Sequence, residues 1–298
     1  MTGGYIAQQI VNGLVLGSMY ALVAIGFSMV YGIIRLINFA HGDIVMIGAF
    51  ITLGLFQKMG IPFPVVAVAV LLSGGVIGIM IEKGAFRPIR GAPQVTGFIT
   101  SLGISMMLQN LGVMVLTAQP RNFTFPDYLQ QVIKVGAVSF RTIDSVIMIS
   151  ALGLMLILMG LVYKTKIGMA MRATAENIDM ARLMGININR TIMTSFVMGS
   201  TLAGVAGLMW GGKFGQIDPL LGFVPGLKSF VAAVIGGVGS IPGAILGGYI
   251  LGLSEVLFVG LLPPEYSAFR DAFVFLTLIL ILLVLPNGIF GKCAEDRP

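Results

Sequence analysis

The chain has 298 residues, 57% of them hydrophobic and 10% charged, with 41 glycines and a mean hydropathy of +0.99. That composition excludes a water-soluble globular domain and a disordered chain alike, and leaves the bilayer as solvent. The net charge of +6 calls for no nucleic acid, because basic loops facing anionic headgroups account for it.

A helix crossing the hydrocarbon needs about 20 mostly apolar residues. The first uncharged run, Tyr5–Ile34, has no basic flank before it and is far longer than a signal-peptide core, so it reads as a retained span. Arg35 ends it, and Asn38-Phe-Ala-His-Gly-Asp43 leads into a shorter run, Ile44–Gln57. Met59–Ile81, Gly91–Pro120 and Ser145–Tyr163 follow; beyond a charged interval come Thr191–Gly212, Ser229–Ser254 and Ala272–Gly291. Backbone polar groups must be paired in lipid, and barrels use alternating strands of roughly ten residues, so these long even runs predict helices. The expected fold is all-α: one polytopic transmembrane bundle over residues 1–298, with eight to nine spans including short or re-entrant glycine-rich segments. Gly13, Gly17, Ala21 and Ala24, and Gly199, Ala203, Gly207 and Gly211, recur at near-four-residue spacing and suit close helix packing.

Residues 164–190 are an island of charge, with Lys164, Lys166, Arg172, Glu176, Asp179, Arg182 and Arg190 supplying seven of the chain's 30 charged residues. With the N-terminus outside, the inner loops hold Arg35, Lys83, Arg87, Arg90 and the island, an excess over Lys58, Arg121, Lys134 and Arg141 opposite. The island is therefore expected in the cytoplasm. A tail carrying Lys292 and Arg297 on the same side requires four crossings after the island, one of them the glycine-rich piece around Gly222–Gly237.

Within the island a helix from about Ala175 to Met184 is expected, roughly 15 Å long. Thr174 reads as its N-cap, Glu176 and Asp179 as first-turn acids, Arg182 as a last-turn base and Gly185 as its left-handed stop. Arg172 with Glu176, and Asp179 with Arg182, have surface-pairing spacing, while Ile178, Ala181 and Met184 form a narrow apolar edge. A short helix with such a mixed face suits docking into a protein groove.

Motifs of catalysis fail on inspection. Gly222-Phe-Val-Pro-Gly-Leu-Lys-Ser229 lacks the spacing of a phosphate loop, and Gly237-Val-Gly-Ser-Ile-Pro-Gly243 misses the dinucleotide pattern by one residue. The single histidine, His41, and single cysteine, Cys293, form neither a zinc site nor a Cys-His pair, and one cysteine allows no intrachain disulfide. A chain that moves a solute without such apparatus takes its energy from an ion gradient or from a partner.

Asp179-Met-Ala-Arg-Leu-Met-Gly185 resembles a variant of the signature by which permease subunits of ABC importers engage their ATPase. Together with Asn38-Phe-Ala-His-Gly-Asp43, Arg172-Ala-Thr-Ala-Glu-Asn177, Ala181-Arg-Leu-Met-Gly-Ile186 and Ile235-Gly-Gly-Val-Gly-Ser-Ile-Pro-Gly-Ala244, it is similar to the branched-chain amino acid permeases of the LivH type, from about Gly13 to Gly291. Asp179 and Met180 depart from the wider importer signature, as does the absence of a downstream Leu-Pro. The resemblance implies a bacterial inner-membrane subunit that is not itself an enzyme and holds no cofactor. It also implies a second homologous permease, two cytoplasmic ATPases binding ATP and magnesium, and a periplasmic amino-acid-binding protein. Arg172, Glu176, Asp179, Ala181, Arg182 and Gly185 would then couple to the ATPase.

For the solute path, interrupted spans in corresponding positions of two halves are the informative places. Asn38 to Asp43 after the first span and Gln216-Ile-Asp218-Pro after the first span beyond the island suggest an internal repeat. Asn38, His41, Asp43, Asp218 and Glu255 are the candidate pathway or gate residues. His41 and Asp43 are expected near the cytoplasmic end of the first span in gating or helix-capping roles, and Glu255 as a buried acid, because ionisable groups at membrane depth are costly. Lys228 reads as snorkelling to the interface. Urea or short amides remain alternative substrates, and a secondary transporter or channel an alternative mechanism that would call for more intramembrane carboxylates.

Overall fold

The structure, a computed structural model, describes residues 3–291, so the expectations resting on Lys292, Cys293 and Arg297 lie outside the described residues. The first half holds α1 (Gly3–Ile34), α2 (Ala40–Thr52), α3 (Phe63–Ile81) and α4 (Gln94–Leu116). Here α2 and α3 run on as π-helical turns, Leu53–Lys58 and Glu82–Phe86. A polar excursion carries β1 (Arg121–Asn122), α5 (Asp127–Gln130), β2 (Val132–Val135) and β3 (Val138–Arg141). Then come α6 (Thr142–Lys164), α7 (Lys166–Glu176), α8 (Ile178–Leu183) and α9 (Ile188–Phe214). β4 (Gln216–Ile217), α10 (Phe223–Gly236), α11 (Ile241–Leu261), a 3-10 segment Pro264–Phe269 and α12 (Arg270–Val284) complete the described chain. Among the described residues eight helices are long and apolar enough to cross a membrane, and α10 is a shorter ninth apolar helix. The chain is a polytopic helical bundle.

Two helix ends differ from the uncharged runs for one reason. α11 continues past Ser254 through Glu255, and α3 continues past Ile81 through Glu82, because each acid finds partners inside the protein. The run Ser229–Ser254 is cut where Gly237 and Gly239 take φ of 100° and 92°, a conformation that glycine adopts without a Cβ clash.

α1 is the core, buried at every position from Val15 to Val30. Its small residues let α11 lie antiparallel against it: Gly13 faces Leu253, Gly17 faces Tyr249, and Gly248 faces Ala21. On the other side of the bundle α3 lies antiparallel to α9, where a Cβ on Gly74 would stand 2.7 Å from the Ser200 carbonyl oxygen. α1 crosses α9 where Gly26 meets Gly199, and α2 crosses α9 where Gly48 meets Gly204 and Gly207 meets Val45. Without a hydrophobic drive between helices in lipid, this close approach is what holds them.

The packing is two-fold. α1 touches α9, α10 and α11, while α9 touches α1, α2 and α3; α4 packs on α2 as α12 packs on α10. Exchanging α1–α4 for α9–α12 therefore preserves the pattern of neighbours. Since α1 meets α9 antiparallel, through Tyr20 with Trp210 and Gly26 with Gly199, the two halves are an inverted repeat.

One face of the bundle carries the strands. β1 pairs with β4, β2 with β3, and Gln8 near the start of α1 exchanges hydrogen bonds with the Ser139 backbone. The opposite face carries α7 and α8. There Ile289 and Phe290 donate their N–H groups to the last carbonyls of α10, each at 2.9 Å, so α12 ends on the island face after four passes from α9. The Glu82 carboxylate is fully buried on this face and paired with Arg90, which also donates to Asn189 at the head of α9. Burial lowers the Arg90 guanidinium below its usual range, with Glu82 pulling the other way.

Candidate functional site

The island folds as two helices rather than one. Thr174 is buried inside α7 and donates to the Ala170 carbonyl at 2.7 Å, so it is not the N-cap. The break falls three residues later. Asn177 takes φ −152° and ψ 113°, and its Oδ1 accepts from the N–H groups of Asp179 and Met180 at 3.0 Å each. An asparagine side chain competes for backbone donors better than the alanines around it, which splits the helix there. Gly185 stops α8 as expected, at φ 79°, with the Ile186 N–H donating to the Ala181 carbonyl at 3.1 Å.

Asp179 and Arg182 pair at 3.8 Å on the exposed side of α8. Arg172 lies over the Tyr163 ring, 5.4 Å from its centre. The buried edge of α8 is Ala181, flanked by half-buried Ile178 and Ile186, whereas Met184 points outward. Met180, Leu183 and Met184 are 60%, 80% and 82% exposed, a patch of large apolar side chains amid charge. The segment is fixed to the bundle through α7, which packs on α6, α1 and α9, and through Gly168, whose missing Cβ admits the Val162 carbonyl.

Asn38, His41 and Asp43 come together around the first turn of α2, all buried. Asp43 caps no helix; its Oδ1 accepts from Gln109 Nε2 of α4 at 3.0 Å, and Gln109 also donates to Ser105. His41 stacks edge-on against Phe27, which in turn meets Phe230 of α10. Here the two interrupted segments of the repeat meet: Gly42 at the start of α2 touches Gly222 and Gly226 at the start of α10. Both helices thus begin within the protein, their N-terminal turns covered by the other half.

Lys228 does not snorkel. Its ammonium is buried between Glu255 Oε1 at 2.8 Å and Asp271 Oδ1 at 2.6 Å. Glu255 is fully buried, accepts from Tyr20 at 2.9 Å on its other oxygen, and is also paired with Arg270 Nε. A lysine with two carboxylates at hand needs no water, and that is why the interfacial expectation fails. In front of this cluster lies a cavity of about 560 Å³ on the strand face, walled by Trp210, Phe214, Leu221 and Val224 and by Asp218, Lys228, Arg270 and Asp271. Asp218 sits at its edge, its Oδ1 accepting from the Leu220 N–H at 2.8 Å.

Sequence reasoning missed Tyr20, Trp210, Gln109, Arg270 and Asp271. Trp210 is the chain's single tryptophan and was the one legible signal among them. Arg270 and Asp271 border an apolar run and so read as its boundary.

A bundle of membrane-spanning helices in inverted repeat, with two interrupted segments meeting at their starts and a charged elbow on one face, defines the class: a multi-pass membrane permease. The family model described as branched-chain amino acid transport system / permease component matches residues 9–285, and the chain belongs to that family. The high-affinity branched-chain amino acid transport system permease protein LivH of Salmonella typhimurium is 42% identical over 98% of this chain and 98% of its own. BraD of Pseudomonas aeruginosa, described in the same words, is 40% identical over 97% of each. Among solved structures, PsaBC from Streptococcus pneumoniae in complex with Fab aligns at a TM-score of 0.47 and 16% identity, over 92% of this chain and 89% of that one.

Proposed function

We propose that the chain is the permease subunit of a binding-protein-dependent importer that carries branched-chain and other hydrophobic amino acids across a bacterial inner membrane. It works beside a second homologous permease, two cytoplasmic ATPases that bind ATP and magnesium, and a periplasmic binding protein. The island face is cytoplasmic on this reading, in keeping with the positive-inside distribution.

The observation that carries the reading is the α7–α8 elbow. α8 turns Met180, Leu183 and Met184 away from the bundle, and ranges the exposed Asp179–Arg182 pair beside them. An apolar knob ringed by charge on a rigid mount suits insertion into a groove of a cytosolic partner. ATP-driven closure of the ATPases would push α8, and α7 would pass the push to α1, α6 and α9, which it touches. α1 and α9 are the two helices whose crossing centres the repeat, so tilting them opens one face and closes the other, an alternating-access motion. Arg172, Glu176, Asp179, Ala181, Arg182 and Gly185 are assigned to coupling, and Asn38, His41, Asp43, Asp218 and Glu255 to the path or its gates.

The test is reconstitution of the full assembly in proteoliposomes with ATP on the ATPase side. Leu183→Asp with Met184→Asp should abolish ATP-driven leucine uptake and weaken co-purification of the ATPases, while the permease still inserts and folds. Uptake by this chain alone, or unimpaired uptake by the double variant, would overturn the assignment.

A further inference from the structure

The cavity on the strand face has two walls of opposite character. One is aromatic and aliphatic: Trp210 stands 5.7 Å from Tyr20 and 5.0 Å from Phe214, with Leu221 and Val224 beside them. The other carries Asp218, Lys228, Arg270 and Asp271. Most of the charge there is already spoken for. Lys228 is paired with both Glu255 and Asp271, and Glu255 lies behind the wall with both oxygens in use.

Two groups are left over. Arg270 spends only Nε on Glu255, so among the described residues its two terminal nitrogens face no carboxylate, and its side chain is 39% exposed. Asp218 makes no ion pair among the described residues, and the bond from the Leu220 N–H occupies its Oδ1 alone. Arg270 thus offers a cationic fork and Asp218 a carboxylate with no ion-pair partner among the described residues, beside the half-exposed Asp271 carboxylate that Lys228 holds by Oδ1, in a cavity of a size that holds small ligands. A guanidinium edge receives a carboxylate through two parallel bonds, and a carboxylate beside indole and phenyl faces receives an ammonium.

Resting on the function proposed above, we propose that this cavity is a transient site for the zwitterion of an apolar α-amino acid on its way through the permease. The α-carboxylate docks on the terminal nitrogens of Arg270, the α-ammonium on Asp218, and the side chain against Trp210, Phe214 and Leu221. Glu255 and Tyr20 are positioning residues: Glu255 holds Arg270 by Nε and thereby aims the rest of the fork. A lone anion would leave Asp218 unmatched and a lone cation would leave Arg270 unmatched, so the pair selects a molecule that carries both charges.

Trp210 supplies the readout. In the assembled complex in nanodiscs without binding protein, the emission attributable to Trp210, with Trp210→Phe as the blank, is titrated with leucine, with 4-methylpentanoate, which lacks the ammonium, and with leucinol, which lacks the carboxylate. Asp218→Asn keeps the turn that Asp218 makes and should weaken leucine and leucinol about tenfold, equivalent to about 1.4 kcal/mol, while leaving 4-methylpentanoate unchanged. Arg270→Lys keeps a cation for Glu255 and should weaken leucine and 4-methylpentanoate but not leucinol. Titrations that do not move, or that weaken equally for all three ligands, would overturn the site while ATP-driven leucine uptake by the wild-type complex still stood. Absence of that uptake in the wild type would overturn the function and the site together.

Discussion

Glu255 is the residue on which most of the strand-face chemistry depends. Its carboxylate joins α11 to Tyr20 of α1, Lys228 of α10 and Arg270 of α12, so one side chain spans four helices. Removing one member of a buried charged network leaves the others uncompensated, at a cost of about 3–5 kcal/mol. Glu255→Ala should therefore lower the stability of the detergent-solubilised protein by about that amount, seen as a lower midpoint of denaturant unfolding. Asp271 is more than half exposed, and Asp271→Asn should cost under about 1 kcal/mol in the same assay. Glu255 was legible in the sequence because an ionisable group in an apolar run demands a partner. Its partners were not legible, because Tyr20 lies 235 residues away along the chain and only the folded helices bring it near.

Glycine acts differently from one helix to the next. Gly207 of α9 lies where a Cβ would run into the Val45 carbonyl of α2, whereas Gly153 of α6 has open space around its Cβ position. Gly153→Ala should stabilise α6 by about 0.5–1 kcal/mol, the ordinary helix-propensity gain. Gly207→Ala should destabilise the bundle by prising α2 from α9. Thermal unfolding of the two variants side by side, with shifts of opposite sign, checks the packing. In the island, Asn177→Ala removes two hydrogen bonds from the α8 N-terminus and should cost about 1 kcal/mol. Its more telling effect is expected in function: α7 and α8 become one continuous helix, the exposed face of α8 rotates, and ATP-driven uptake falls.

Capping residues show why the island was only partly readable. Gly185 was assigned correctly because a left-handed stop has few alternatives to glycine. Thr174 and Asn177 are both good caps, three residues apart, and nothing local decides between them. Packing decided: Thr174 is buried within the bundle's island face, and a buried hydroxyl finds its partner in the carbonyl one turn back. The spans were legible from apolar length alone, yet their breaks were blurred wherever an acid such as Glu82 or Glu255 interrupts a helix that continues.

At the scale of the whole molecule, the inverted repeat explains why two short segments begin within the protein. α2 and α10 are equivalent elements, and Gly42, Gly222 and Gly226 have no side chain because each helix start is the other's wall. The sequence hinted at this through Asn38–Asp43 and Gln216–Pro219, but the sense of the repeat was hidden, since helix direction leaves no mark on hydropathy. On one face of this symmetric body the α8 elbow breaks the symmetry, and that is where the proposed ATPases would act.

The most direct test of the account is ATP-driven leucine uptake by the reconstituted complex carrying Gly185→Val. At φ 79° a β-branched residue is strained, so α8 cannot end as it does, while the spans, which Gly185 does not touch, insert normally. The account predicts normal membrane insertion with loss of both uptake and ATPase association. Uptake at the wild-type rate by this variant, with the ATPases still bound, would contradict it.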